Sequence, residues 1–133
     1  MRGNGLLALL KHGKQTNMNN EQQVANLELS KKLEELGVEQ NSLFGWSLYD
    51  EKNNLWGVEE FRNIGDEYSA FTVAELGEML PEATMSYKPY NMKKPEFYCE
   101  RHHKSASIRD LSFSADTEAN ARAKMLIYLI ENK

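Results

Sequence analysis

A chain of 133 residues with 41% hydrophobic and 27% charged residues has the size and composition of one globular domain, able to bury roughly two-thirds of its unfolded surface around a single core. Its longest apolar runs, Leu6 to Leu10 and Met125 to Ile130, fall far short of the ~20 residues of a membrane helix, which argues against a membrane span. The net charge of −4 is uneven: residues 1–17 hold Arg2, Lys11 and Lys14 without an acid, so residues 18–133 carry 13 bases against 20 acids. Such a body repels phosphate backbones, and nucleic acid is disfavoured as a partner, although Lys88, Lys93, Lys94, Arg101 and Lys104 form a local basic strip. The single cysteine, Cys99, excludes an intrachain disulfide, and the short run after Arg2 lacks a signal-peptide cleavage site; both point to the reducing cytoplasm.

In chain order, residues 1–20 read as a flexible basic tail ahead of one α+β domain over residues 21–133, because every core stripe begins after Met18. The first helix is expected from about Glu21 to Leu36, with Leu29, Leu33 and Leu36 on one stripe and Val24 and Leu27 beside it. Gly37 and Val38 then encode a Schellman turn. Phe44, Trp46 and Leu48 alternate with Gly45, Ser47 and Tyr49, and Leu55-Trp56-Gly57-Val58 follows a polar stretch, which predicts a β-hairpin.

The second helix carries the clearest local code. Thr72 and Glu75 match a capping box, Phe71 and Leu76 match a hydrophobic staple, and Pro81 stops the helix after about nine residues. Strands are expected near Thr84 to Tyr87, Glu96 to Lys104 and Ser107 to Phe113, with Pro89 and Pro95 marking edges or loops. Asp116 or Thr117 then caps a terminal helix whose stripe of Ala119, Ala123, Leu126, Ile127 and Ile130 is broadened by Met125, Tyr128 and Leu129, leaving Arg122, Lys124 and Glu131 as its polar remainder. The expected order is α-β-β-α-β-β-β-α: a small antiparallel sheet with about three helices on one face.

The runs Leu36-Gly37-Val38 with Ser42 to Trp46, Ala70 to Pro81, and Ala115 to Ala119 continuing through Tyr128 to Asn132 resemble those of small bacteriophage, prophage or mobile-element proteins. The similarity covers about residues 21–133. These runs are largely helix caps and core positions, and the resemblance implies no activity or catalytic residue.

Candidate chemistry centres on Cys99-Glu100-Arg101-His102-His103. On a strand, Cys99 and His103 share a face but stand about 13 Å apart and His102 points the other way, so one strand does not converge three donors on a metal within the ~2 Å that zinc requires. A metal site there needs ligands from elsewhere, such as His12 or Asp110. A triad of Ser105, His103 and Asp110 lacks a nucleophile elbow, and adjacent strand residues point a Cys99 thiol away from its histidines. No catalytic residue, metal ligand or cofactor is assigned.

The aromatic set is more suggestive. Trp46, Tyr49, Trp56, Phe61, Tyr68, Tyr87, Tyr90 and Tyr98 crowd the strand and loop regions, and large amphipathic rings are common interface anchors. Strand alternation sends one of Trp46 and Tyr49 into the core and the other outward. The reading that follows is a protein-binding module with Trp46, Tyr49, Trp56, Tyr90 and Tyr98 as candidate contacts. Its expected partner is a host or phage protein, with self-association as another form. The alternatives are a small metal-dependent or thiol enzyme around Cys99, His102 and His103, or a nucleic-acid accessory protein.

Overall fold

The structure is a computed structural model that describes residues 20–63, 65, 67–89, 96–102 and 111–133. The basic tail, Tyr90, His103, Ser105, Asp110 and the lysines at 93, 94 and 104 lie outside the described residues. The elements are α1 (Leu27–Glu35), β1 (Phe44–Asp50), β2 (Leu55–Glu60), β3 (Glu67–Ala70), α2 (Val73–Met79), β4 (Thr84–Tyr87), β5 (Phe97–Arg101), β6 (Leu111–Ala115) and α3 (Glu118–Glu131). The class is α+β with antiparallel strands, close to the expected order. Two features differ: β3 is an additional strand, and the strands divide into two three-stranded sheets, β2-β1-β3 and β4-β5-β6. Among the described residues no helix is long and apolar enough to cross a membrane.

The first helix starts later than its apolar stripe implies. Residues 20–22 make a separate helical turn, after which Val24 bridges Thr72 and the Ala25 N–H donates to the Phe71 carbonyl at 3.0 Å. Extended backbone sends neighbouring side chains to opposite sides. Val24 therefore enters a small cluster with Trp46, Val58 and Ala70 under the first sheet, and Ala25 enters the larger one with Leu33, Leu76, Met125 and Leu126. Asn26 then caps α1, its side chain accepting from the Leu29 N–H at 2.9 Å. The helix ends as its sequence encodes. Gly37 has φ +91°, the Gly37 N–H reaches the Glu34 carbonyl at 3.0 Å, and the Val38 N–H reaches that of Leu33 at 3.0 Å, the two bonds of a Schellman turn.

The capping box of α2 is formed. The Glu75 N–H donates to Thr72 Oγ1 at 3.1 Å and the Thr72 N–H donates to Glu75 Oε1 at 2.8 Å, while Phe71 and Leu76 share the main core. Leu80, extended at ψ 148° ahead of Pro81, stops the helix after seven residues. Thr72→Ala is expected to cost about 1 kcal/mol by denaturant titration, since it frees the Glu75 N–H at the helix start; an unchanged midpoint would remove the cap from that role.

The apolar terminal helix is central, as its composition requires: α3 packs on β5 and β6 and touches α1 and α2. Thr117 is its cap, and β6 runs to Ala115, with Asp116 between them, two residues beyond the expected end at Phe113. Arg122, expected on a polar face, is instead a joint. Its Nε donates to Ser86 Oγ at 2.8 Å, its Nη1 to the Val73 carbonyl at 2.8 Å, and its Nη2 stands 3.5 Å from Glu118 Oε2. Gly77 makes room for it, because a Cβ there would lie 2.3 Å from Nη1. A stripe of apolar spacing does not reveal that its lone arginine reaches across to a strand and a second helix.

Candidate functional site

The first sheet presents two unlike faces. Register pairs Trp46 with Val58 and Tyr68, and Phe44 with Ala70, so these residues line the face that α1 and Val24 cover. The opposite face carries Gly45, Ser47, Gly57, Glu59, Glu67 and Ser69. Its shape is set by two glycines and a bulge. Leu48 pairs with Trp56 but Asp50 pairs with Leu55, which leaves Tyr49 as an extra residue on β1 and re-aims its side chain. The ring lies across Gly57, where a Cβ would fall 2.0 Å from Cε2, and Phe61 lies across Gly45 in the same manner, with Cδ1 at 2.7 Å from such an atom. Any larger residue at position 57 would displace the tyrosine.

Beside the tyrosine ring is a hollow of about 400 Å³ lined by Ser47, Leu48, Tyr49, Glu51, Glu59, Arg62 and Glu67. The Tyr49 hydroxyl donates to Glu59 Oε2 at 2.8 Å, and the Ser47 hydroxyl to Glu67 Oε2 at 3.0 Å. The Arg62 N–H reaches Glu67 Oε1 at 3.3 Å, while the Arg62 guanidinium stands 3.8 Å from Glu59 Oε1. Burial, reinforced by the Glu59 carboxylate, pushes the Tyr49 hydroxyl well above its ordinary pKa, so it remains a proton donor at any physiological pH. The hollow thus offers carboxylate acceptors, one aromatic ring and no activated nucleophile.

The second sheet also has a face away from α3, carrying Met85, Tyr87, Tyr98, Glu100 and Ser112. Tyr87 and Tyr98 stack with centroids 5.8 Å apart and planes at 22°, and the Tyr87 hydroxyl donates to Glu100 Oε2 at 2.8 Å. That bond raises the Tyr87 pKa. Met85 and Tyr87 are exposed.

The candidate contacts separate on this frame. Tyr49 is 59% exposed, on the outer face of its sheet, and Trp46 is only 8% exposed, the division that alternation requires. Trp46 is thereby corrected from a surface anchor to a core residue: its Nε1 donates to the buried Ala25 carbonyl at 2.8 Å. Trp56 is half-buried on the covered face, 5.8 Å from Tyr68, with Lys31 Nζ 5.1 Å above its ring. A lysine of the same chain therefore occupies that aromatic face. Tyr98 is half-buried beside Tyr87, and Tyr90 lies outside the described residues. Among the four described, Trp46 and Trp56 meet only in the covered cluster, while Tyr49 and Tyr98 belong to different sheets. What sequence reasoning passed over is the acidic surround of Tyr49. Its signal was the alternation of β2, which places Glu59 opposite Val58, together with Gly57 across from a strand aromatic.

The thiol and histidine alternative finds little support in the geometry. Cys99 is fully buried on the face beneath α3, and burial pushes its thiol up to about 11, against the pull of Arg122. At neutral pH it is a protonated, inaccessible group and no nucleophile. His102 is half-exposed, with Nε2 3.5 Å from Glu100 Oε1, and does not share the cysteine's enclosure. Among the described residues no three His, Cys, Asp or Glu side chains are grouped to hold a metal ion.

Comparison with protein-family models, with curated proteins and with solved structures gave no match to this chain.

Proposed function

We propose that this protein is an interaction module of phage or mobile-element type that binds a host or phage protein in the bacterial cytoplasm. The observation that carries the reading is Tyr49: a bulge and a glycine hold a large amphipathic ring, 59% exposed among the described residues, on the sheet face opposite α1. Exposed aromatics fixed in this way supply contact area with little rotamer entropy to lose on binding, the property of interface anchors. Met85 and Tyr87 on the second sheet add exposed apolar surface of the same kind. A buried, protonated Cys99 and a shallow acidic hollow in place of converging catalytic groups favour binding over turnover.

Affinity capture from an infected or lysogenic host tests the reading, with the wild-type chain compared against Tyr49→Ser and Tyr87→Ser. The expected result is a defined protein retained at near-equal stoichiometry by the wild type and lost from at least one variant whose thermal melt is unchanged. Retention of nothing specific by the wild type, or equal retention by both variants, would remove the aromatic faces from any binding role.

A further inference from the structure

We propose that the end of the second sheet where β4 begins and β5 stops binds a small oxyanion, a carboxylate or a phosphate, through Arg101 and Thr84. Thr84, the first residue of β4, pairs in register with Arg101, the last of β5, and Leu111 flanks Arg101 on its other side. Strand alternation puts Thr84 and Arg101 on the face that holds the buried Cys99, and the three strands place no carboxylate on that face. Arg101 Nε and Thr84 Oγ1 are both enclosed, and neither has a hydrogen-bond partner among the described residues. The other two described arginines are engaged: Arg62 stands 3.8 Å from Glu59 Oε1, and Arg122 donates to Ser86 and to the Val73 carbonyl.

Two enclosed donors on paired residues call for one acceptor group. A guanidinium N–H withdrawn from water without an acceptor is costly. An oxyanion answers both groups at once, one oxygen accepting from the Arg101 Nε–H and a second from the Thr84 hydroxyl. An apolar group would leave both donors unmet, and a cation would be repelled by the guanidinium. The backbone holds the pair in place: Thr84 follows Ala83, whose φ is +66°, and the His102 N–H donates to the Ala83 carbonyl at 3.0 Å, tying the two strand ends together. Charge along the chain agrees. Residues 88–104 carry five bases against two acids, whereas residues 18–133 carry 13 bases against 20 acids, so the sequence around β5 favours an anion where the rest of the body opposes one.

The test uses the full chain with sodium phosphate, sodium acetate and sodium chloride at matched ionic strength, followed at the arginine Nε–Hε resonances and the backbone amides. The Arg101 Nε–Hε resonance and the Thr84 amide are expected to shift saturably with phosphate, acetate or both, and not with chloride. A response to acetate alone identifies a carboxylate, such as an acidic side chain of a partner, and a response to phosphate alone identifies a phosphate. Thr84→Val, which keeps the shape of the side chain, is expected to weaken binding about fivefold, and Arg101→Lys, which keeps the charge but loses the planar fork, about tenfold. Lys52→Gln, in the turn between β1 and β2, is expected to leave it unchanged. Should Arg101→Lys fail to fold, Thr84→Val carries the test: the responding anion should raise the melting temperature of the wild type by clearly more than that of the variant. An adventitious ion only, seen as an equal response to chloride or as binding undiminished in Thr84→Val, overturns the proposal. So does a wild-type Arg101 resonance that ignores every anion but shifts in Asp110→Asn, which would make that carboxylate of the chain its acceptor.

Discussion

Replacing Trp46 with alanine is expected to cost about 3–5 kcal/mol, enough to bring a domain of ordinary stability close to unfolding. The ring fills a cluster with Val24, Val58 and Ala70, bordered by the partly buried Leu27, Phe44, Trp56 and Tyr68, and truncation to alanine leaves a cavity that such surroundings close only in part. The indole N–H is also lost from the Ala25 carbonyl, which keeps the Ser30 hydroxyl at 3.1 Å. Trp46→Phe, which retains most of the apolar volume, is expected to cost about 1–2 kcal/mol. Denaturant titration of both variants separates cavity from hydrogen bond. A Trp46→Ala chain with unchanged stability but lost partner binding would return this residue to the surface role that its type alone suggested.

What was legible in the sequence follows from how local each signal is. The Schellman turn at Gly37, the capping box at Thr72 and Glu75, and the cap at Thr117 each satisfy backbone groups within a few residues, and such codes survive any tertiary arrangement. The start of α1 was misplaced because its cause lies elsewhere: Val24 and Ala25 are drawn into extended pairing with Phe71 and Thr72, nearly fifty residues away, and apolar spacing does not distinguish that from a helix. β3 was missed for a related reason. Four residues, Glu67 to Ala70, give too short an alternation to stand out, and only pairing with β1 makes them a strand. With β3 unseen, the division into two sheets was invisible too.

The candidate site shows the same limit. Alternation placed Tyr49 and Trp46 on opposite faces from the sequence alone. The acids around Tyr49 come from β2, from β3 and from the turn after β1, and they converge only through register and a bulge. Beside Glu60 and Arg62, Glu59 has no local pattern in the sequence that marks it. The residues that meet it, Ser47 and Tyr49, lie across the hairpin.

Asn120→Ala is the other substitution expected to act strongly, at about 2–3 kcal/mol, because it removes the polar link between the two ends of the chain's core. Asn120 is 5% exposed on α3; its Oδ1 accepts from the Asn26 N–H at 2.8 Å and its Nδ2 donates to Asp116 Oδ1 at 2.9 Å. Alanine leaves the Asn26 N–H without that acceptor at the cap of α1, and it leaves a small void besides. At roughly 3–4 °C per kcal/mol for a domain of this length, the melt should fall by about ten degrees. The loss should also be directional. Asn26 follows Val24 and Ala25, the residues that enter the two clusters side by side, so freeing it loosens the seam between the sheets before it loosens β5 against α3. Amide exchange at Asn26 and through the first turn of α1 is therefore expected to accelerate well ahead of exchange at Cys99, the middle residue of β5. Equal acceleration at both would mean that the two clusters open as one unit and that Asn120 is an ordinary core residue; no change at Asn26 would mean that its N–H finds another partner.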